Sequence, residues 1–89
     1  MTPGFYDVST RELWDKRVCQ AKANGWSWGT DFPQFEPTYD KAKSWYHGNS
    51  KLILHLFYNH INDRHEMVVT TKSVLKTYPQ YQGKEIEVI

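Results

Sequence analysis

KLILHLFYNHINDRHEMVVTT, residues 51–71, decides the fold. Leu52, Leu54, Leu56 and Tyr58 alternate on one face, and Ile53, His55 and Phe57 take the other. The second face is also mostly apolar. A strand apolar on both faces sits centrally in its sheet, with something packed on each side. NDR, residues 62–64, is good turn chemistry, so the strand is expected to return as a hairpin through HEMVVTT.

Downstream, TKSVLKTY at 71–78 predicts a third short helix stopped by Pro79. GKEIEVI at 83–89 alternates Ile86 and Val88 against Glu85 and Glu87, which predicts an edge strand with one solvated face. Upstream, VSTRELWDKRVCQAKANGW predicts a helix from about Thr10 to Ala23. Ser9 is its expected N-cap, Glu12 stands at capping-box spacing, and Val8 with Leu13 is the expected staple. Asn24-Gly25 stops the helix and folds Trp26 back towards Ala21. At 100° per residue Trp14, Val18 and Ala21 form one stripe. Arg17 lies at its edge, where its stem can cover the core.

Between these parts lies SWGTDFPQFEPTYDKAKSWYHG, residues 27–48, crowded with aromatic rings. Trp26 to Pro37 reads as an ordered loop, because flexible linkers are not built from Trp and Phe. Thr38 caps a second short helix in which Tyr39, Ala42 and Tyr46 recur at helical spacing, with Trp45 beside them and Gly48-Asn49 ending it. The order α, loop, α, β, β, α, β predicts an α+β single domain over residues 1–89. Its N-terminal helix, aromatic-rich loop and short helix precede a three-stranded, mainly antiparallel sheet with one further short helix.

Eighty-nine residues leave no room for two cores. Aromatic residues make up 16% of a chain that is 39% hydrophobic, so a few large rings stand in for many aliphatic side chains. Cys19 is the single cysteine, which excludes an intramolecular disulfide. The N-terminus lacks the basic and apolar regions of a signal peptide, and the longest apolar run, LILHLFY, falls far short of a membrane span of about 20 residues. These features predict a whole small reading frame working in the cytoplasm, with no membrane association. The net charge of +1 hides an asymmetry: residues 1–40 have an excess of carboxylates, and residues 41–84 an excess of lysine.

Catalytic patterns are weak. His55, His60 and His65 form an H-x4-H-x4-H series with Asp63 and Glu66 nearby, but five residues of strand separate His55 from His60 by about 16 Å. The strand–turn–strand–helix order invites comparison with the ββα-metal unit of HNH nucleases. That unit needs a metal-binding His or Asn on its helix, and TKSVLKTY has neither. Cys19, amid Lys16, Arg17 and Lys22, has no histidine beside it in sequence. The five glycines are isolated, so there is no phosphate-binding loop. No cofactor or metal is therefore expected.

The expectation is a non-enzymatic protein-binding module of inhibitor or adaptor type, in the style of compact viral inhibitors. Trp28, Phe32 and Phe35 are its expected anchors, with Tyr39 and Arg17 at their margin. The alternative is an RNA- or single-strand-binding protein that uses Lys41, Lys43, Lys51, Lys72 and Lys76. A metal-dependent nuclease is the remote one. A homodimer through the Ile53 and Phe57 face or through the C-terminal edge strand is a further expectation.

Overall fold

The computed structural model describes residues 1–29, 36–46 and 51–89. Its centre is the expected hairpin: β3 (Ile53–Asn59) runs antiparallel to β4 (Arg64–Thr70), with Leu56 opposite Met67 and Asn59 opposite Arg64. At the turn Asn59 Oδ1 accepts from the backbone N–H of Ile61 (2.9 Å) and Asn62 (3.2 Å). Asp63 takes a left-handed φ of 54°, which Asp tolerates better than most residues.

The sheet has four strands and is mixed, where three mainly antiparallel strands were expected. β1 (Gly4–Asp7) pairs antiparallel with β3, and the two-residue β2 (Ser27–Trp28) pairs parallel with β4, giving the order β1-β3-β4-β2. Ser27 and Trp28 thus belong to a strand and not to a loop. Of the C-terminal edge strand only a bridge forms. Val88 pairs parallel with Phe5, Ile89 N–H donates to the Phe5 carbonyl (2.8 Å), and Asp7 N–H donates to the Ile89 carbonyl (2.9 Å). Its alternation holds: Ile86 is buried and Val88 half-buried, while Glu85 and Glu87 are exposed.

Helix α1 (Arg11–Ala23) buries the predicted Trp14, Val18 and Ala21. Its N-cap is Thr10 and not Ser9. Thr10 Oγ1 accepts from Leu13 N–H at 3.1 Å, so the capping box with Glu12 and the Val8–Leu13 staple are out of register. The Ser9 hydroxyl is engaged elsewhere: it donates to Asp7 Oδ1 (2.5 Å) and accepts from Leu52 N–H (3.1 Å), tying the β1–α1 connection to the start of β3. At the other end Trp26 N–H donates to Ala21 and Gly25 N–H to Lys22, with Gly25 at a φ of 89°; this is the paired bonding of a Schellman turn. Helix α2 (Tyr39–Trp45) is capped by Thr38 as expected. α3 (Lys72–Leu75) is capped by Thr71 and followed by a 3₁₀ turn at Pro79–Tyr81.

Each face of β3 carries a packed layer, as its composition demanded. On one, Leu52, Leu54, Leu56, Met67 and Val69 pack with Tyr6, Val8, Trp14, Val18, Ala21, Trp26 and Ala42 under α1 and α2. On the other, Ile53 packs with Leu75 and Ile86, and Phe5, Tyr81 and Val88 lean on them. Each fully buried aliphatic side chain in these layers contributes about 1.5–3 kcal/mol. No helix among the described residues is long and apolar enough to cross a membrane.

Candidate functional site

The second face is covered only in part. Beside Ile53 the alternation of β3 points His55 and Phe57 the same way, and Val68 stands opposite His55 on β4. α3 and the 3₁₀ turn cover one end of this face, leaving an open hollow of about 420 Å³. Tyr46, His55, Phe57, Val68, Val74 and Tyr78 line it, with Gln80 and Tyr81 at its border. Phe57, Val68 and Val74 are half-buried, and Tyr78 is 49% exposed. A cavity of this size falls within the range of ligand pockets, roughly 300–1,000 Å³.

Ring contacts fix the hollow's floor. His55 stacks on Phe5, with centroids 4.4 Å apart and planes 23° apart, and lies 5.0 Å from Phe57 and 6.3 Å from Tyr81. Burial among these rings pushes the His55 imidazole down to about 4, so the ring is neutral at physiological pH. Tyr46 reaches over from the end of α2, and its hydroxyl donates to the Val69 carbonyl at 3.1 Å. That bond satisfies the β4 edge beyond β2, where Gly29 N–H already donates to the Met67 carbonyl (3.0 Å). Burial, then the neighbouring Tyr78, raises the Tyr46 phenol above its usual range and keeps it a donor. Among the described residues the lining holds no Lys, Arg, Asp or Glu.

The expected anchors are placed differently. Phe32 and Phe35 lie outside the described residues. Trp28 faces the α1 side, half-buried and stacked on Trp14 at 6.1 Å; Tyr39 meets the same Trp14 ring edge-on at 6.1 Å and donates to the Ser9 carbonyl at 3.0 Å. The structure therefore brings Trp28 and Tyr39 together around Trp14. Arg11 and Lys43 stand over the Tyr39 ring at 5.0 and 5.2 Å. Arg17 is not with them. Its guanidinium lies 5.7 Å from the Tyr6 ring on β1 and donates to the Ile89 carbonyl. β1 and β2 are the outer members of the four-strand order, about 14 Å apart at ordinary strand spacing.

The lysines divide between the two faces. Lys41 and Lys43 ride on α2, over the α1 layer; Lys72 and Lys76 belong to α3 and its C-cap, over the other layer; Lys51 precedes β3. The histidine series is split as well. His60 and His65 both sit 5.0 Å from Tyr58 at the hairpin end, whereas His55 faces the hollow. Among the described residues no three His, Cys, Asp or Glu side chains are grouped to hold a metal ion. Cys19 is exposed on α1.

The sequence offered Glu66 only as a neighbour of the histidine series, and the structure gives it a different place. Glu66 is 1% exposed, yet it accepts from Arg64 Nη2 (2.6 Å) and Nε (3.2 Å), Asn59 Nδ2 (2.6 Å) and Asn62 Nδ2 (3.3 Å). The Arg64 guanidinium, followed by the two asparagines, outweighs burial and holds this carboxyl below its usual range. Glu66 thereby braces the turn, from which Ile61 projects 94% exposed. The sequence signal for this bracing role was a charged residue at an inward position of β4. Comparison of the chain with family models, with curated proteins and with solved structures finds no match.

Proposed function

We propose that this is a non-enzymatic protein-binding module, and that the hollow over β3 and β4 is its docking site. The observation that supports this reading is a half-open apolar cavity of about 420 Å³ with several aromatic walls. Aromatic side chains dominate binding hot spots because they bury large areas with few rotatable bonds. The neutral His55 and the hydroxyls of Tyr46 and Tyr78 add orienting polar groups to an otherwise greasy wall. An inhibitor or adaptor of this size would take up one projecting side chain of its partner. Trp28 and Tyr39 then act as supports of the α1 layer, since both rest on Trp14. Nucleic-acid binding is the second reading. It draws on the same rings and on Lys72 and Lys76, but the division of the lysines between two faces leaves no single basic track for a backbone.

The test is capture from the native host with tagged wild-type protein and three variants. A partner that binds wild type and Ile61→Ser, and is lost with Tyr78→Ala and with Phe57→Ala, supports the reading. Tyr78 and Phe57 are not fully enclosed, so both variants are expected to fold. A partner retained by both hollow variants refutes the site. A protein that purifies with bound RNA refutes the function.

A further inference from the structure

We propose that the side chain the hollow takes from its partner is a tyrosine, whose ring packs on the apolar wall while its hydroxyl hydrogen-bonds to the His55 imidazole. The inference rests on the hollow being a protein-docking site. It adds the chemistry of the group that enters and the residue that selects it.

His55 is the polar group of the hollow that the fold leaves unserved. Its neighbours are rings: Phe5 stacks on it at 4.4 Å, Phe57 tilts against it at 5.0 Å and Tyr81 meets it edge-on at 6.3 Å. Neither ring nitrogen hydrogen-bonds to any of the described residues, and neither is sealed from solvent. The other covered polar side chains of the lining differ. The Tyr46 hydroxyl donates to the Val69 carbonyl at 3.1 Å, and the Thr70 hydroxyl to the Thr71 carbonyl at 3.5 Å. Tyr78 and Gln80 are exposed, so solvent serves them directly. The half-buried imidazole depends on water that a guest in the hollow would expel. That guest must replace the lost hydrogen bond or leave the imidazole dry.

Burial keeps the imidazole neutral, with one nitrogen a donor and the other an acceptor. A hydroxyl both donates and accepts, so it serves either nitrogen; an indole N–H serves only the acceptor. The rest of the wall is rings and branched aliphatics, which favour an aromatic body over the short side chains of serine and threonine. Tyrosine joins the two requirements in one side chain. Phenylalanine fits the wall but leaves His55 unpaired. Among the described residues the lining has no Lys or Arg to hold a phosphate, which favours a tyrosine over a nucleobase and its backbone.

The test titrates the ¹⁵N-labelled protein at neutral pH with capped pentapeptides. Gly-Gly-Tyr-Gly-Gly is compared with the same peptide carrying Phe or Trp at its centre, and with a ten-residue oligothymidylate. The tyrosine peptide is expected to shift amides of residues 55–57 and 68–81. It should bind about tenfold more tightly than the phenylalanine peptide, the size of one hydrogen bond that would otherwise be left unmade. His55→Phe keeps the ring stack and should bring the tyrosine and phenylalanine peptides to equal affinity. A second readout needs no variant: the side-chain ¹⁵N resonances of His55 should move with the tyrosine peptide and stay in place with the phenylalanine one. Equal affinity of the two peptides for the wild type overturns the inference and leaves the docking site standing. So does a tyrosine advantage that survives in His55→Phe, or tighter binding of the tryptophan peptide. No shift at the hollow with any of the peptides overturns both. Tighter binding of oligothymidylate at the hollow overturns the inference in favour of nucleic acid.

Discussion

Replacing His55 by phenylalanine tests the floor of the hollow. In the folded chain the imidazole is pushed down to about 4 by burial, against 6.5 for a free histidine. Between those values the unfolded chain takes up a proton that the folded chain refuses. Stability is therefore fully present above about pH 6.5 and falls as the pH drops towards 4. At full effect the linkage is worth roughly 3 kcal/mol. The open mouth of the hollow lets water reach the ring, which brings the expected loss down to roughly 1–2 kcal/mol. Phenylalanine keeps the stack on Phe5 and cannot titrate. Urea unfolding at a series of pH values from 7.5 to 4.5, followed by tryptophan fluorescence, gives two stability curves. Carboxylates such as Glu66 tilt both curves alike, so the difference between them isolates His55. That difference should open by roughly 1–2 kcal/mol between pH 7 and 4.5, or about 4–16 °C in Tm for a domain of this size. Parallel curves would show that His55 is solvated in the native state and that the ring-lined floor is wrong.

The Glu66 brace gives a second expectation: Arg64→Ala leaves a covered carboxylate with two asparagines alone, and should cost roughly 1–2 kcal/mol in urea unfolding at pH 7, less for Glu66→Gln. Because Glu66 is held below its usual range, the Arg64→Ala penalty should shrink as the pH falls through the carboxylate range, which acid titration of both proteins checks. Trp28→Ala removes a half-buried ring stacked on Trp14 and should lower stability by about 2–3 kcal/mol, somewhat below the cost of a fully buried Trp. Loss of partner capture by Trp28→Ala without loss of stability would instead make that ring a contact residue. Cys19→Ser, on the exposed face of α1, should change the free energy of urea unfolding by no more than about 0.5 kcal/mol.

Much of the fold was legible because its signals are local. Period two with apolar residues on both faces marked β3, and Thr38 caps α2 where threonine precedes an apolar rhythm. The first helix kept its stripe and its Gly25 stop, but its start was misread by one residue. Ser9 and Thr10 are equally good caps in isolation, and the choice was made by Asp7 and Leu52, which engage Ser9. β1 and β2 escaped notice for a related reason. GFYD and SW carry too few residues to show a period, and each becomes a strand only because β3 or β4 offers an edge. The hollow was half visible. The His55 and Phe57 face could be read from alternation, but the rings of Tyr46, Tyr78 and Tyr81 that border it arrive through tertiary packing from two other parts of the chain. The aromatic cluster at 27–48 drew attention to Trp28, whose register beside Met67 turned its ring towards α1.

The docking site is tested most directly by titrating neutral indole into the ¹⁵N-labelled protein, without any knowledge of the natural partner. The account predicts saturable millimolar binding with amide shifts concentrated at His55, Phe57, Val68, Val74, Tyr78 and Tyr81, and their loss in Tyr78→Ala. Shifts centred on Trp28 and Tyr39, or none at the hollow at saturating indole, would contradict it.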